Sequence, residues 1–367
     1  MNRIRACLYL SVFVIMGLSD AVVPILPDLS GEAFVQSMIF SAYFAGALVS
    51  MIPLGMLADR YGNTRFILLS IVMTIISGFL ILLSNSPQIL VSARFVEGCA
   101  CGAFFPAAFS MLTKFENRRQ CMGEFTFLIN IGLALGVAAA AELMYYHLKG
   151  GILTFVLLAI PALVLAISLK QDSDDPDIPP APQRISGVFA SLSDARYLQI
   201  WVITFILFGA TGVLVAYFPS FTDLTPSLQG LALSGVYFGA MVTSLIGGRA
   251  RTTERGLIRA GALITGIGIV ATIYHPIGLT IMGAGSGFAM VGLVAGVASL
   301  GSDHGMAMGV FNTCTYAGFA ALPVFAAGIL WYADYAALFG ITGIAVGALA
   351  LFPLQALAVK RRSIRPL

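Results

Sequence analysis

Charge is what this chain has least of. Asp, Glu, Lys and Arg make up 10% of its 367 residues, against roughly a quarter in an ordinary soluble domain. Too few charges are present to cover a water-soluble globule of this size. Histidine is scarce as well: His147, His275 and His304 are the three copies, all at the ends of apolar segments and none at metal-ligand spacing. Five cysteines, Cys7, Cys99, Cys101, Cys121 and Cys314, lie within or at the ends of apolar runs. Cys99 and Cys101 point to different faces of a helix and no second pair completes a zinc site, so neither disulfides nor metal is expected. Paired catalytic carboxylates and a nucleophile with its base are missing too. The run G-A-G-S-G at 283–287 has no strand before it and reads as helix packing, not as a phosphate loop. An enzyme is not expected, and no cofactor.

Apolar sequence is abundant instead, at 59% hydrophobic residues and a mean hydropathy of +0.94. A membrane-spanning helix needs about 20 mostly apolar residues. Twelve runs qualify: 6–27, 34–57, 66–84, 88–113, 122–146, 150–169, 198–222, 228–248, 256–275, 277–300, 305–331 and 335–359. The fold class expected is an all-α membrane protein of twelve transmembrane helices. The first run follows Arg3 and Arg5 as a signal peptide would, but it is long, lacks a small-x-small site and ends in P-I-L-P-D-L, so it reads as a retained helix.

Basic residues set the expected orientation, because Lys and Arg near helix ends favour the cytoplasmic side. In a twelve-span arrangement every Lys and Arg except Lys149 and the membrane-embedded Arg94 falls on one side, which puts both termini in the cytoplasm and the protein in the plasma or inner membrane. The net charge of +3 then reflects topology. No nucleic-acid partner is read from it, and a monomer in the lipid bilayer is expected.

The stretch Q-D-S-D-D-P-D-I-P-P-A-P-Q-R-I-S-G, residues 171–187, has the composition of an extended solvated linker. It divides the chain into an N-terminal six-helix bundle (1–170), a cytoplasmic linker (171–197) and a C-terminal six-helix bundle (198–367). The halves resemble each other. Phe13 to Pro27 aligns with Phe205 to Pro219, matching Gly17 with Gly209; Tyr43 aligns with Tyr237; and M-G-E-F at 122–125 aligns with M-G-V-F at 308–311, which superposes Gly132 on Gly318. Three ordered matches at offsets of 192, 194 and 186 residues indicate parallel repeats, with a substrate site expected between them.

Ionisable residues inside the membrane are costly and so point to function. Three lie well away from predicted helix ends: Asp20 in the first helix, and Arg94 and Glu97 in the fourth. With a rise of about 1.5 Å per residue, Asp20 and Arg94 both come to roughly 21 Å from the cytoplasmic face. Arg94 and Glu97, three apart, share a helical face and can pair. These three form the candidate proton-coupling and substrate site. Two plainer readings stand beside that one: Arg94 and Glu97 simply neutralise each other, and Asp20 caps backbone near a kink at Pro24. Small residues at four-residue spacing, Ala42, Gly46 and Ser50, Gly98 and Gly102, and Gly132, Gly136 and Ala140, suit close helix packing.

Residues 53–65, P-L-G-M-L-A-D-R-Y-G-N-T-R, resemble the loop between the second and third helices of the major facilitator superfamily, with Gly55, Leu57, Ala58, Asp59, Arg60, Gly62 and Arg65 in register and Asn63 where a basic residue is usual. R-F-V-E-G at 94–98 is similar to the R-x-x-Q-G pattern of helix four in proton-coupled members, and S-D-A-V-V-P-I-L-P at 19–27 to helix one of the drug-proton antiporter branch. The resemblance implies two six-helix repeats and a central cavity walled by helices one, four, seven and ten. It also implies a gating loop of Gly55, Asp59, Arg60, Gly62 and Arg65. Asp59 would meet the start of helix eleven near Gly305 when the cytoplasmic side is closed, where the helix dipole favours a carboxylate. The antiporter pattern of helix five is only half present: Gly132 and Gly136 are there, but Val137 replaces Pro and alanines 138–141 replace the terminal glycines.

Positions expected to line the cavity in the second half are Phe205, Phe208, Tyr217, Met282, Phe288 and Met290, an apolar and aromatic set with no acidic partner. The reading this supports is a proton-coupled secondary active transporter that works by alternating access and exports lipophilic or amphipathic small molecules. Its alternatives are an uptake permease or uniporter for a small metabolite, and a non-transporting membrane sensor.

Overall fold

The computed structural model describes residues 2–172, 195–250, 252–300 and 304–351. Among them the secondary structure is helical throughout. The long helices are α1 (Asn2–Ala21), α2 (Ala33–Tyr61), α3 (Asn63–Leu83), α4 (Pro87–Thr113), α5 (Arg118–Leu143) and α6 (Gly150–Asp172), then α7 (Ala195–Phe221), α8 (Pro226–Arg249), α9 (Glu254–Thr272), α10 (Ile277–Leu300), α11 (His304–Ile329) and α12 (Tyr335–Ala348). Eleven are long and apolar enough to cross a membrane. The twelfth continues as a 3-10 turn to Leu351, and the remainder of its predicted span lies outside the described residues. So does most of the predicted linker, of which α6 and α7 take the first and last few residues.

The first predicted span, 6–27, is not one helix. It ends at Ala21, turns through residues 22–25, and resumes as a single helical turn, Leu26–Leu29. Pro24 and Pro27 account for the break, since proline donates no backbone hydrogen bond and disfavours helix in the residue before it. Asp20 therefore sits in the last turn of α1.

Several helices are inverted relative to those of a soluble protein. On α3, Leu69, Val72, Ile76, Phe79, Leu80 and Leu83 are exposed, while Ser70, Thr74 and Ser77 are fully buried. Hydrocarbon faces outward and hydroxyls inward, the arrangement a lipid solvent selects. Each inward hydroxyl donates to a carbonyl: Ser70 to Ile67 O at 2.7 Å, Thr74 to Ser70 O at 2.9 Å and Ser77 to Ala93 O at 2.8 Å.

The chain forms two compact units, one of Met1–Pro182 with Val215–Tyr237, the other of Gln183–Leu214 with Phe238–Leu367. In the first, α1 packs on α5 and α6, α2 on α4, and α3 on α4 and α6; in the second, α9 packs on α10 and α12 in the manner of α3 on α4 and α6. The repeat read from the sequence recurs at atomic contacts. A methyl built on Gly132 would stand 2.8 Å from Phe13 O, and one built on Gly318 would press on Phe205 O, the same contact in the other unit.

At one end of the first unit, Lys149 is buried before α6 begins. Its Nζ donates to Ile81 O and Ser84 O at 2.7 Å, to Leu82 O at 3.5 Å and to Asn85 Oδ1 at 2.7 Å. The ammonium thus takes the carbonyls that the C-terminus of α3 leaves open and offsets the negative end of its dipole.

Candidate functional site

Arg94 is drawn inside by α4, whose close approach to α2 depends on missing side chains. A methyl on Gly46 would strike Phe95 O, one on Gly98 would strike Tyr43 O, and one on Gly102 would strike Ser50 Oγ. This contact seats Arg94 against α2 with 2% of its side chain exposed. Its Nη1 donates to Glu97 Oε2 at 2.7 Å, its Nε to Ile39 O at 3.4 Å, and its guanidinium lies over the Tyr43 ring. Glu97 is fully buried and its Oε2 also accepts from Ser77 Oγ at 3.3 Å. Its Oε1 has no hydrogen-bond partner. The pair is turned into the α2–α3–α4 interface of the first unit, and each charge neutralises the other there.

Asp20 is 7% exposed. Its Oδ2 accepts a hydrogen bond from the hydroxyl of Tyr237 on α8. Arg94 and Glu97 of α4 act on it through space. Asp20, Arg94 and Glu97 are thus gathered in one unit, with an uneven charge balance of two carboxyls to one guanidinium.

The stretch of α8 that reaches Asp20 lies along α5. Ser234 Oγ donates to Ala134 O at 2.7 Å, Ser227 donates to Glu142, and Gly230 packs on Val137, Ala138 and Ala141. The α5 alanines that depart from the antiporter pattern are the surface on which Gly230 rests. On α7, the Tyr217 hydroxyl donates to Ala33 O at 3.3 Å and Ser220 Oγ to Gln36 Oε1 at 2.7 Å.

The residues expected to form the gating loop occupy the other end of α2 and the start of α3. Gly62 caps α2 at φ +96° and ψ 132°, a backbone that L side chains resist, and α3 starts at the next residue. Asn63 turns inward and its Nδ2 donates to Ser110 Oγ at 3.0 Å. Gly55 faces Pro106 of α4, whose Cβ would be 3.1 Å from an added methyl. Asp59 is half-buried in the last turn of α2. Arg60 lies over the Tyr61 ring at 5.4 Å, and Arg65 is exposed. The partner expected for Asp59 adjoins residues 301–303, outside the described residues.

Of the expected cavity positions, Phe208 meets Phe311 and Phe319 in the second unit at centroid distances of 6.3 and 6.2 Å. Phe205 and Phe288 are half-buried, Met290 is 37% exposed, and Tyr217 is fully buried. Met282 is also fully buried, its backbone tight against Gly268 of α9, so it fills a helix interface there.

Comparison with known proteins places the fold. The family description "Major Facilitator Superfamily" matches residues 8–224, more than half of the chain. The chain belongs to the Major Facilitator Superfamily. Like the members it resembles, this facilitator is a multi-pass membrane transporter and not an enzyme. A gentisate transporter of Corynebacterium glutamicum is 25% identical over 304 residues, 74% of this chain and 68% of that protein. Probable anion transporter 7 of Oryza sativa subsp. japonica is 26% identical over 328 residues, 76% of this chain and 74% of that protein. A multi-drug resistance efflux pump PmrA homolog of Lactococcus lactis is 30% identical over 116 residues, but these cover only 31% of the facilitator and 29% of the pump. Among solved structures, a mutant of the nucleoside transporter NupG superposes with a TM-score of 0.82, covering 97% of this chain and 100% of that one at 11% identity, a likeness of fold alone.

Of the side chains that make these contacts, sequence gave no sign of Ser77, Gln36 or Ser220. Tyr237 is different. Its correspondence to Tyr43 was visible, and both tyrosines prove to address buried ionisable groups.

Proposed function

We propose that the protein is a proton-coupled secondary active transporter that works by alternating access, with Asp20 as the proton-carrying group and Arg94 and Glu97 setting the field around it. The observation that carries this reading is the burial of Asp20 in the last turn of a broken membrane helix, where a hydroxyl and not a basic side chain is its hydrogen-bond donor. A carboxyl so placed can exist neutral or charged, whereas Glu97 is tied to Arg94.

The preferred cargo is a lipophilic or amphipathic small molecule, exported. Arg94 is already engaged by Glu97, which disfavours a polyanion as cargo. The gating-loop residues Gly55, Asp59, Arg60, Gly62 and Arg65 serve the closing of the cytoplasmic mouth, and both termini are cytoplasmic in a plasma or inner membrane.

A second reading, uptake of a small organic anion together with protons, is favoured by one observation. The relatives that align over about 70% of their length are named for gentisate and anions, while the efflux pump aligns over less than a third.

Reconstitution into liposomes under an imposed pH gradient tests both. Gradient-driven movement of lipophilic cations or neutral amphiphiles, lost in Asp20→Asn, is the expected result. Gradient-driven flux of an aromatic carboxylate alone selects uptake. Flux indifferent to the gradient in wild-type protein overturns proton coupling.

A further inference from the structure

We propose that Tyr237 is the coupling residue through which the charge on Asp20 holds the Pro226–Tyr237 half of α8 against α1 and α5, so that protonating Asp20 loosens that segment. The inference rests on the reading of Asp20 as the proton site and adds a transmitting residue to it.

Geometry comes first. Ser227, Gly230, Ser234 and Tyr237 recur at spacings of three, four and three and so form one stripe along α8. Each makes a contact in the first unit: Ser227 with Glu142, Gly230 with Ala138 and Ala141, Ser234 with Ala134 O, and Tyr237 with Asp20. Tyr237 is also the last residue of α8 that belongs to this unit, since Phe238 begins the other. The hydrogen bond to Asp20 is the last contact of the stripe.

Only two of the four contacts involve a group that can titrate. Glu142 is exposed at the far end of the stripe, and Asp20 is buried at the near end. The charged and titratable groups that act on Asp20 are Tyr237 of α8, through its hydrogen bond, and Arg94 and Glu97 of α4, through space. A phenol donating to a carboxylate makes a charge-assisted bond roughly twice as strong as one to a neutral carboxyl, and a dry setting widens the difference. When Asp20 takes a proton from water, Tyr237 keeps its own proton and the bond becomes a neutral one. The segment then loses its strongest tie, a change of about tenfold in the docked-to-undocked ratio.

Hydrogen–deuterium exchange of the full-length protein in lipid nanodiscs, corrected for intrinsic exchange, reads this directly. In wild-type protein, protection of residues 226–237 is expected to fall about tenfold from alkaline to acid buffer. In Tyr237→Phe it should be low at every pH, with α2 and α4 as protected as before. Asp20→Asn should flatten the profile in the same way, and Glu142→Gln should leave the slope intact. A wild-type slope in Tyr237→Phe overturns the inference, as does a slope that disappears in Glu142→Gln. Proton-driven flux measured on the same samples separates the two claims. Absent flux in wild-type protein defeats proton coupling, whereas an unchanged exchange slope in Tyr237→Phe defeats only the role given to Tyr237.

Discussion

The guanidinium of Arg94 lies over the ring of Tyr43 at 4.8 Å from the centroid, while its Nη1 reaches Glu97 at 2.7 Å. A cation between an aromatic face and a carboxylate is held from two sides in a medium that cannot hydrate it. Tyr237, the counterpart of Tyr43 in the second repeat, contacts the other buried acid, Asp20. The same repeat position serves two ionisable groups by different parts of its side chain, the ring face in one case and the hydroxyl in the other.

Breaking the Arg94–Glu97 pair on one side leaves a lone charge among residues that exclude water. Arg94→Ala is expected to destabilise the protein by about 3–5 kcal/mol. The double replacement Arg94→Met with Glu97→Leu should be much milder, since neither charge is stranded. Thermal unfolding in detergent checks this, and a double variant as unstable as Arg94→Ala contradicts it.

A different outcome is expected for Arg5 and Glu124, whose side chains are each 35% exposed. Water screens this pair, and Tyr9 and Gln120 also donate to Glu124, at 2.7 and 2.8 Å. Arg5→Ala should alter stability by less than about 1 kcal/mol. A loss comparable to that of Arg94→Ala in the same melting assay refutes the distinction.

Gly98→Ala places a methyl on Tyr43 O and 2.8 Å from Ala47 N. Backbone cannot swing away as a side chain can, so α2 and α4 must part. The expected cost is about 1–3 kcal/mol, with further loss of Arg94 packing on Tyr43. Gly123→Ala, where nothing lies within 4 Å of the added methyl, is the matched control and should melt like the wild type.

Gly62→Ala tests the turn between α2 and α3. A φ of +96° is unfavourable for alanine, and strain of about 1–3 kcal/mol is expected. The turn also aims Asp59, Arg60 and Arg65, so transport should fall further than stability alone predicts. Flux measured well below the melting temperature separates the two effects; normal flux there shows that the aim of the turn is unimportant.

Lys149→Met keeps the aliphatic stem and removes the four hydrogen bonds of the ammonium. Carbonyls at the end of α3 are left to find other donors, for a loss of about 1–3 kcal/mol. Hydrogen exchange should rise in the last turn of α3 and the first of α6. Unaltered exchange at both places is the result that rejects this role.

Spacing and composition made the architecture legible because hydrocarbon length and the repeat are properties of the chain itself. Gly132 and Gly318 show how far that reaches, since aligned letters became equivalent contacts at Phe13 and Phe205. The Arg94–Glu97 pair was readable for the same reason: three residues along a helix fix a shared face. The extent of α1 was not read correctly, because its apolar content continues through Pro24 while its hydrogen bonding does not. Met282 misled in a similar way, since an apolar helix residue carries no mark of which face meets a neighbour. The contact of Tyr237 with Asp20 spans 217 residues of sequence, and no local pattern encodes such a pairing. Ala138 and Ala141 read in the sequence as part of an eroded pattern, whereas in the structure Gly230 rests on them.

The oxygens around Lys149 belong to backbone carbonyls and one amide, without a carboxylate among them. An ordinary ion pair there would weaken whenever its acid partner was neutralised. Carbonyl and amide oxygens take up no proton over the range in which cells work. This fastening between α3 and α6 is therefore acid-proof. Whichever side of the membrane turns acidic, the tie that Lys149 makes between the end of α3 and the start of α6 keeps its hydrogen bonds.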